Sequence, residues 1–216
     1  MAHPLAVRLG RRYAEDARDM NFPMSAVMKK VAVPNSKYWT LGPILDQGQT
    51  PRCVGYSTRQ LLASSPHRYK KVDPTADEIY AGAQQNDEWP GTNYDGTSDR
   101  GSMKYLQGLN IIASYHWAKD VEEACQYVLT TGPILVGAEW MNDMFNPSST
   151  GFVKPTGGVA GGHEFLLYGY NHKAWTISFC NSWGTSWGLK GKFKMNRTDF
   201  ENLIANQGDM CAAVEA

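Results

Sequence analysis

Asp46-Gln47-Gly48-Gln49-Thr50-Pro51-Arg52-Cys53-Val54-Gly55-Tyr56-Ser57 is the stretch on which the reading of this 216-residue chain turns. A turn-forming Gln47-Gly48-Gln49 loop runs into Pro51, and a helix-compatible segment follows with Tyr56, Gln60, Leu61 and Leu62. Pro51 and Arg52 then fall near the first turn of a helix, where a missing proline N–H costs nothing. Cys53 comes next, at the positive end of the helix dipole. That position favours thiolate over thiol and can bring a cysteine pKa from about 8.5 down to roughly 3.5–7.5. A lone cysteine is ordinarily a small buried hydrophobe. Gln47, six residues upstream, and two motifs further along the chain point to chemistry instead.

Composition narrows the class. Hydrophobic residues make up 42% and charged residues 19%, as in an ordinary globular protein with a full core. Lys+Arg and Asp+Glu both number 21, so no charge excess points to nucleic acid or to an anionic membrane surface as partner. No apolar run reaches the 18 or so residues of a membrane span. Arg8, Arg11, Arg12, Glu15 and Asp16 interrupt any secretory h-region near the start. The four cysteines, Cys53, Cys125, Cys180 and Cys211, form no Cys-x-x-Cys pair, which removes zinc-ribbon and thioredoxin readings and favours a reducing compartment.

Residues 1–28 read as an N-terminal arm lying on the fold or as a removable pro-segment. Residues 31–46 read as extended chain. His67-Arg68-Tyr69-Lys70-Lys71 reads as a solvated basic link. Thr75-Ala76-Asp77-Glu78 is a capping box that opens a helix to about Gln85. The turn-rich run 86–98 suits a surface binding loop, and Ser98 caps a helix carrying Met103, Leu106 and Leu109. Asp120 opens another helix, with Val121, Ala124, Cys125 and Val128 on one face, which Gly132-Pro133 ends. From Ile134 the pattern changes to strands: Ile134–Glu139, His163–Tyr170, Trp175–Cys180 and Lys192–Met195. Helices first and strands later predict an α+β fold of two lobes, a helical one over about 47–118 and a β-rich one over about 119–212 with part of 29–46.

His163, in Gly161-Gly162-His163-Glu164-Phe165, is expected at the start of its strand, with Gly157–Gly162 as a flexible rim beside it. Asn181 ends the next strand in Asn181-Ser182-Trp183-Gly184, and alternation sends Cys180 to the opposite face. Together these residues form a set suited to thiol chemistry. A Cys53 thiolate attacks a carbonyl, His163 stabilises it and protonates the leaving group, and Asn181 holds the ring. The Gln47 amide meets the developing oxyanion, and Trp183 keeps water off the His163–Asn181 hydrogen bond. The histidines show no metal-ligand spacing, and neither a metal nor an organic cofactor is implied.

With these residues on the page, the chain resembles the papain family of cysteine peptidases. Gln47-Gly48…Cys53, Gly162-His163 and Asn181-Ser182-Trp183-Gly184…Trp187-Gly188 match that family's three motifs in order. The resemblance runs from about residue 40 to 212, with Gly132-Pro133-Ile134-Leu135-Val136 and Gln207–Ala212 as matching strands. It implies a papain-like two-lobe fold, a peptide or protein substrate, and a cleft with Cys53 on one wall and His163 and Asn181 on the other. Compact size, the Asp95–Ser98 loop and the Asp16–Asp19 arm look closer to bacterial and phage-encoded members.

The departures from that pattern surround Cys53. Thr50 stands where secreted members carry a disulfide cysteine, Pro51-Arg52 replaces Gly-Ser, and Val54 replaces an aromatic residue. Arg52 could lower the Cys53 pKa further if it points that way. The residues that grip substrate backbone read as Gly96-Thr97, with Gly162 across from them. Glu164 either places a carboxylate in the specificity pocket, favouring a basic substrate side chain, or turns to solvent. Only 110 residues separate Cys53 from His163, fewer than the roughly 130–150 usual in the family. Two other readings stay open: an inert papain-fold binding protein, and an acyl transferase using the same Cys53, His163 and Asn181.

Overall fold

The computed structural model describes residues 3–67 and 73–216; the part of the predicted basic link at 68–71 lies outside the described residues. Among the described residues five α-helices form, all but the first opened by a side-chain cap: α1 (Cys53–Ala63), α2 (Ala76–Gln84), α3 (Asp99–Gly108), α4 (Val121–Thr130) and α5 (Arg197–Ile204). Thr75 and Glu78 close the capping box of α2 reciprocally, Ser98 Oγ accepts from the Gly101 N–H, and Asp120 accepts from the Glu123 N–H. Among these residues no helix is long and apolar enough to cross a membrane.

Seven strands make one antiparallel sheet: β1 (Ser36–Tyr38), β2 (Ile112–Trp117), β3 (Ile134–Met141), β4 (Val159–Asn171), β5 (Thr176–Cys180), β6 (Lys192–Asn196) and β7 (Asp209–Glu215). Their order is β2-β7-β3-β4-β5-β6, with β1 paired to β4. Strand alternation sorts the side chains into two cores. Val136, Trp140, Phe165, Leu167 and Phe179 pack on one face with α4 and α5. Leu135, Leu166, Cys180 and Cys211 pack on the other with Leu61, Leu62, Ile79, Met103 and Leu106 of the first three helices. The fold is α+β, as expected.

Two local expectations are corrected. Leu109 does not belong to the apolar stripe of α3; it caps the helix end and is 47% exposed. The next residue, Asn110, adopts φ +54°, a left-handed conformation that asparagine tolerates and that ends the helix there. His163 does not start its strand either. β4 begins at Val159 because β3 extends to Met141 and supplies partners, pairing Trp140 with Gly161 and Glu139 with Gly162. Gly161 and Gly162 are therefore sheet, not rim.

Residues 3–28 run over the body of the fold. Short 3-10 turns form at Pro4–Arg8, Ala17–Asn21 and Met24–Val27. Met24 is fully buried in the first core. The Trp117 N–H donates to the Phe22 carbonyl, and the Ser25 N–H donates to Glu123. Ahead of these anchors, residues 8–12 pass the N-terminus of α1, where Gly10 lies against Pro51.

Candidate active site

Cys53 is the first residue of α1, with Arg52 as its cap residue and no side-chain cap bond. The helix N-terminus leaves unpaired backbone donors around the sulfur. α1 lies against β4, where Ser57 Oγ donates to the Glu164 carbonyl at 2.7 Å. The backbone N–H groups of Glu164 and Gly10 both reach the Cys53 sulfur. Cys53 thus meets the His163–Glu164 step of the sheet on one side and the arm on the other.

His163 faces the first core, in the same row as Phe165 and Leu167. Trp140 meets its ring edge-on at 4.9 Å and Trp183 lies at 4.8 Å. Its Nε2 is 2.8 Å from Asn181 Oδ1. That same oxygen accepts the Ser182 N–H at 2.8 Å, which fixes it as an acceptor. Nε2 therefore carries the ring proton, and Nδ1 presents a bare lone pair with no hydrogen-bond partner among the described residues. An imidazole in this tautomer is set to take a proton. Trp183, 1% exposed, packs beside the His163 ring that makes this bond.

Gln47 is buried and held from three directions. Its N–H donates to the Ser182 carbonyl at 2.9 Å, and its Oε1 accepts from Ser182 Oγ at 2.6 Å. With the oxygen thus assigned, the amide Nε2 donates to the carbonyls of Thr50 at 2.6 Å and Arg8 at 2.9 Å. An amide donor aimed at a carbonyl oxygen is the arrangement an oxyanion would need. Ser182 is the residue that motif reading missed: it orients Gln47 while its own N–H orients Asn181. Its place between Asn181 and Trp183 was the available signal.

The arm fills the groove. Thr97 N–H donates to the Gly10 carbonyl at 3.0 Å, Arg12 N–H donates to the Thr97 carbonyl at 2.8 Å, and Arg11 N–H donates to the Gly162 carbonyl at 3.0 Å. Of the positions read as backbone-gripping, Thr97 and Gly162 bond residues 10–12 of this chain, whereas the Gly96 N–H donates to the Tyr80 hydroxyl and its carbonyl accepts from Gln84. Approach is close enough to demand glycine. A Cβ on Gly10 would sit 2.0 Å from the Pro51 carbonyl oxygen, and one on Gly162 would sit 2.1 Å from that of Arg11.

Closure changes the electrostatics expected for Cys53. Both Cys53 and His163 are 0% exposed. Burial pushes the Cys53 thiol up to about 11, against the partial relief given by the Glu164 and Gly10 N–H groups. Burial likewise lowers His163 to about 4, although Asn181 opposes the shift. The thiol and the imidazole are each neutral in this closed form. Arg52 does not add charge at the sulfur, because it pairs with Asp77 at 2.8 Å.

Glu164 does not turn to solvent. Alternation points it away from His163 to the α1 side, fully buried, with Asp99 raising its pKa beyond the effect of burial. Arg11 enters the same space. It pairs with Asp209 at 2.6 Å and Asp99 at 3.7 Å, and its Nη1 donates to the Gln207 carbonyl. Asp99 and Asp209 carried no sequence motif and were not foreseen. Cys125, Cys180 and Cys211 are buried free thiols in the cores, with pKa values raised by burial.

Comparison with known proteins agrees with this geometry. The profile of the papain family cysteine proteases matches residues 53–212. Cathepsin B-like cysteine proteinase 6 of Caenorhabditis elegans is 33% identical over 105 residues, covering 46% of this chain and 27% of that protein. This match therefore spans about a quarter of the relative's length. Among solved structures, xylellain, a cysteine protease from Xylella fastidiosa, superposes with a TM-score of 0.74 at 18% identity, covering 97% of each chain. Procathepsin B S9 of Trypanosoma congolense superposes with a TM-score of 0.70 at 15% identity, covering 98% of this chain and 88% of that one. The chain belongs to the papain family of cysteine proteases.

Proposed function

We propose that this protein hydrolyses peptide bonds through a Cys53 thioester and that residues 3–12 hold it closed until they leave the cleft. The observation carrying this reading is the hydrogen-bonded set His163–Asn181–Ser182–Gln47 around a buried cysteine at a helix N-terminus, with an extended backbone seated across it. In the open form, Cys53 gives its proton to His163 Nδ1. The thiolate attacks the substrate carbonyl carbon, a C–S bond forms, and the carbonyl oxygen becomes an oxyanion that accepts from Gln47 Nε2. Collapse breaks the C–N bond, and His163 returns the proton to the leaving amine. Water, deprotonated by His163, then displaces the thiol from the thioester.

The seated arm suits inhibition more than cleavage. The Gly10 N–H is directed at the sulfur, and the Arg8 carbonyl occupies the Gln47 donor. The test is peptide hydrolysis by the full chain after the arm has been unseated, alongside iodoacetamide labelling. Turnover with rapid labelling of Cys53 is expected. No turnover, with Cys53 labelling as slowly as Cys125, Cys180 and Cys211, would overturn the reading. In the unseated protein, Gln47→Ala is expected to lower kcat by about 10²–10³-fold, the cost of losing one oxyanion donor.

A further inference from the structure

We infer that the cleft recognises two adjacent basic side chains of a peptide, one in the buried pocket of Asp99, Glu164 and Asp209 and the next between the rings of Trp89 and Tyr94. The inference rests on the peptidase reading only in taking the peptide to be a substrate. Arg11 and Arg12 of the arm show how each place is filled.

The first place is a closed acidic pocket. Arg11, 5% exposed, sits against three carboxyl groups, two of them, on Asp99 and Glu164, at most 1% exposed. Burying that much like charge is costly without a cation, and the cost falls only when a guanidinium or ammonium enters. Arg11 does not exhaust the pocket. Apart from contacts among the three carboxyl groups themselves, neither oxygen of Asp99, nor Glu164 Oε2, nor Asp209 Oδ1 has a hydrogen-bond partner among the described residues. Thr58 Oγ1, at 3.5 Å, is the neutral neighbour of Glu164 Oε1. An apolar side chain in this space would remove the cation that Asp99 and Asp209 pair with.

The second place is built of aromatic faces. The Arg12 guanidinium lies 4.1 Å from the Trp89 ring centre and 4.4 Å from that of Tyr94. Both rings belong to the turn-rich 86–98 loop, and Asp87 holds the loop in shape. Its carboxylate accepts from the Tyr94 hydroxyl at 2.7 Å, the Thr97 hydroxyl at 2.6 Å and the Trp89 N–H at 3.2 Å. The residue that grips backbone, Thr97, is thereby tied to the clamp that grips the side chain. A cation between two rings is favoured over a neutral side chain of the same length.

The test uses the full chain and reads binding rather than bond cleavage. Iodoacetamide labelling of Cys53 reports whether the arm is seated. Arg11→Lys is expected to keep Cys53 protected, whereas Arg11→Leu should raise labelling on the order of 100-fold, because the variant leaves buried carboxylates unpaired. Arg12→Ala should raise it about 5-fold. The chain carrying Arg11→Leu and Cys53→Ser is then titrated with a fluorescein-labelled hexapeptide containing Arg-Arg. Replacing one arginine of the peptide by norleucine is expected to weaken binding on the order of 100-fold, and replacing the other about 5-fold.

Equal protection of Cys53 in the Arg11→Leu and Arg11→Lys variants would overturn the inference. So would norleucine peptides that bind as tightly as Arg-Arg, or no binding of the Arg-Arg peptide at all. Each of those results leaves the hydrolysis reading standing. Conversely, selective binding by a chain that never turns over peptide would sink hydrolysis and keep the dibasic pocket.

Discussion

Gly10→Ala should open the cleft: the iodoacetamide reaction of Cys53 at neutral pH is expected to accelerate on the order of 100-fold, with the fold retained. The added methyl meets the Pro51 carbonyl oxygen at 2.0 Å, and both partners are backbone, so no side-chain rotation relieves the contact. Overpacking of this kind costs about 1–3 kcal/mol, and the arm is the part free to move. With the arm seated, a thiol pushed up to about 11 is ionised in only about one molecule in ten thousand at pH 7. Once water reaches the sulfur, the burial penalty goes and the helix N-terminus acts on the thiolate unopposed. The pH profile of labelling carries the same information. For the parent protein the rate should climb towards an inflection near 11, whereas in the variant the inflection should fall below about 8.5. An unchanged profile would show that the arm does not control the sulfur.

Cys53→Ala in the Gly10→Ala background is expected to lower peptide hydrolysis by five to six orders of magnitude. Removing the nucleophile of a linked set costs on the order of 10⁶ in kcat, since the remaining members act only through it. The fold should survive, because Cys53 contributes only a small buried side chain at a helix start. Circular dichroism and the thermal midpoint separate loss of chemistry from loss of structure. Hydrolysis that persists undiminished would remove Cys53 from the reaction.

The local chemistry of this site was far more legible in the sequence than its occupancy. Gln47, Cys53, His163 and Asn181 announce themselves through fixed spacing and neighbours, because each role demands one residue type. The helices α2, α3 and α4 were legible for a similar reason, since Thr75, Ser98 and Asp120 mark their starts. β2 and α5 were not foreseen. Ile112–Trp117 is an edge strand without clean alternation, and Arg197–Ile204 is a short helix whose buried side chains are Phe200 and Leu203. Arg11 in its acidic pocket was beyond reach for another reason: Asp99, Glu164 and Asp209 lie on three elements, and only the closed sheet brings them together. The Cys53 pKa was misjudged because the dipole argument is local, whereas burial under the arm is tertiary.

The turn at Asn181-Ser182 has one more consequence. Its backbone and side chains steer both the proposed base and the proposed oxyanion donor, through His163 Nε2 on one side and Gln47 Oε1 on the other. The two functions consequently share a pivot. A displacement of that turn detunes them in step, so damage there should multiply rather than divide. In the open protein, Ser182→Ala is expected to reduce kcat while leaving KM near its parent value. Its effect should be markedly sub-additive with Gln47→Ala, because both changes release the same amide. Full additivity in that double-mutant cycle would uncouple the pivot.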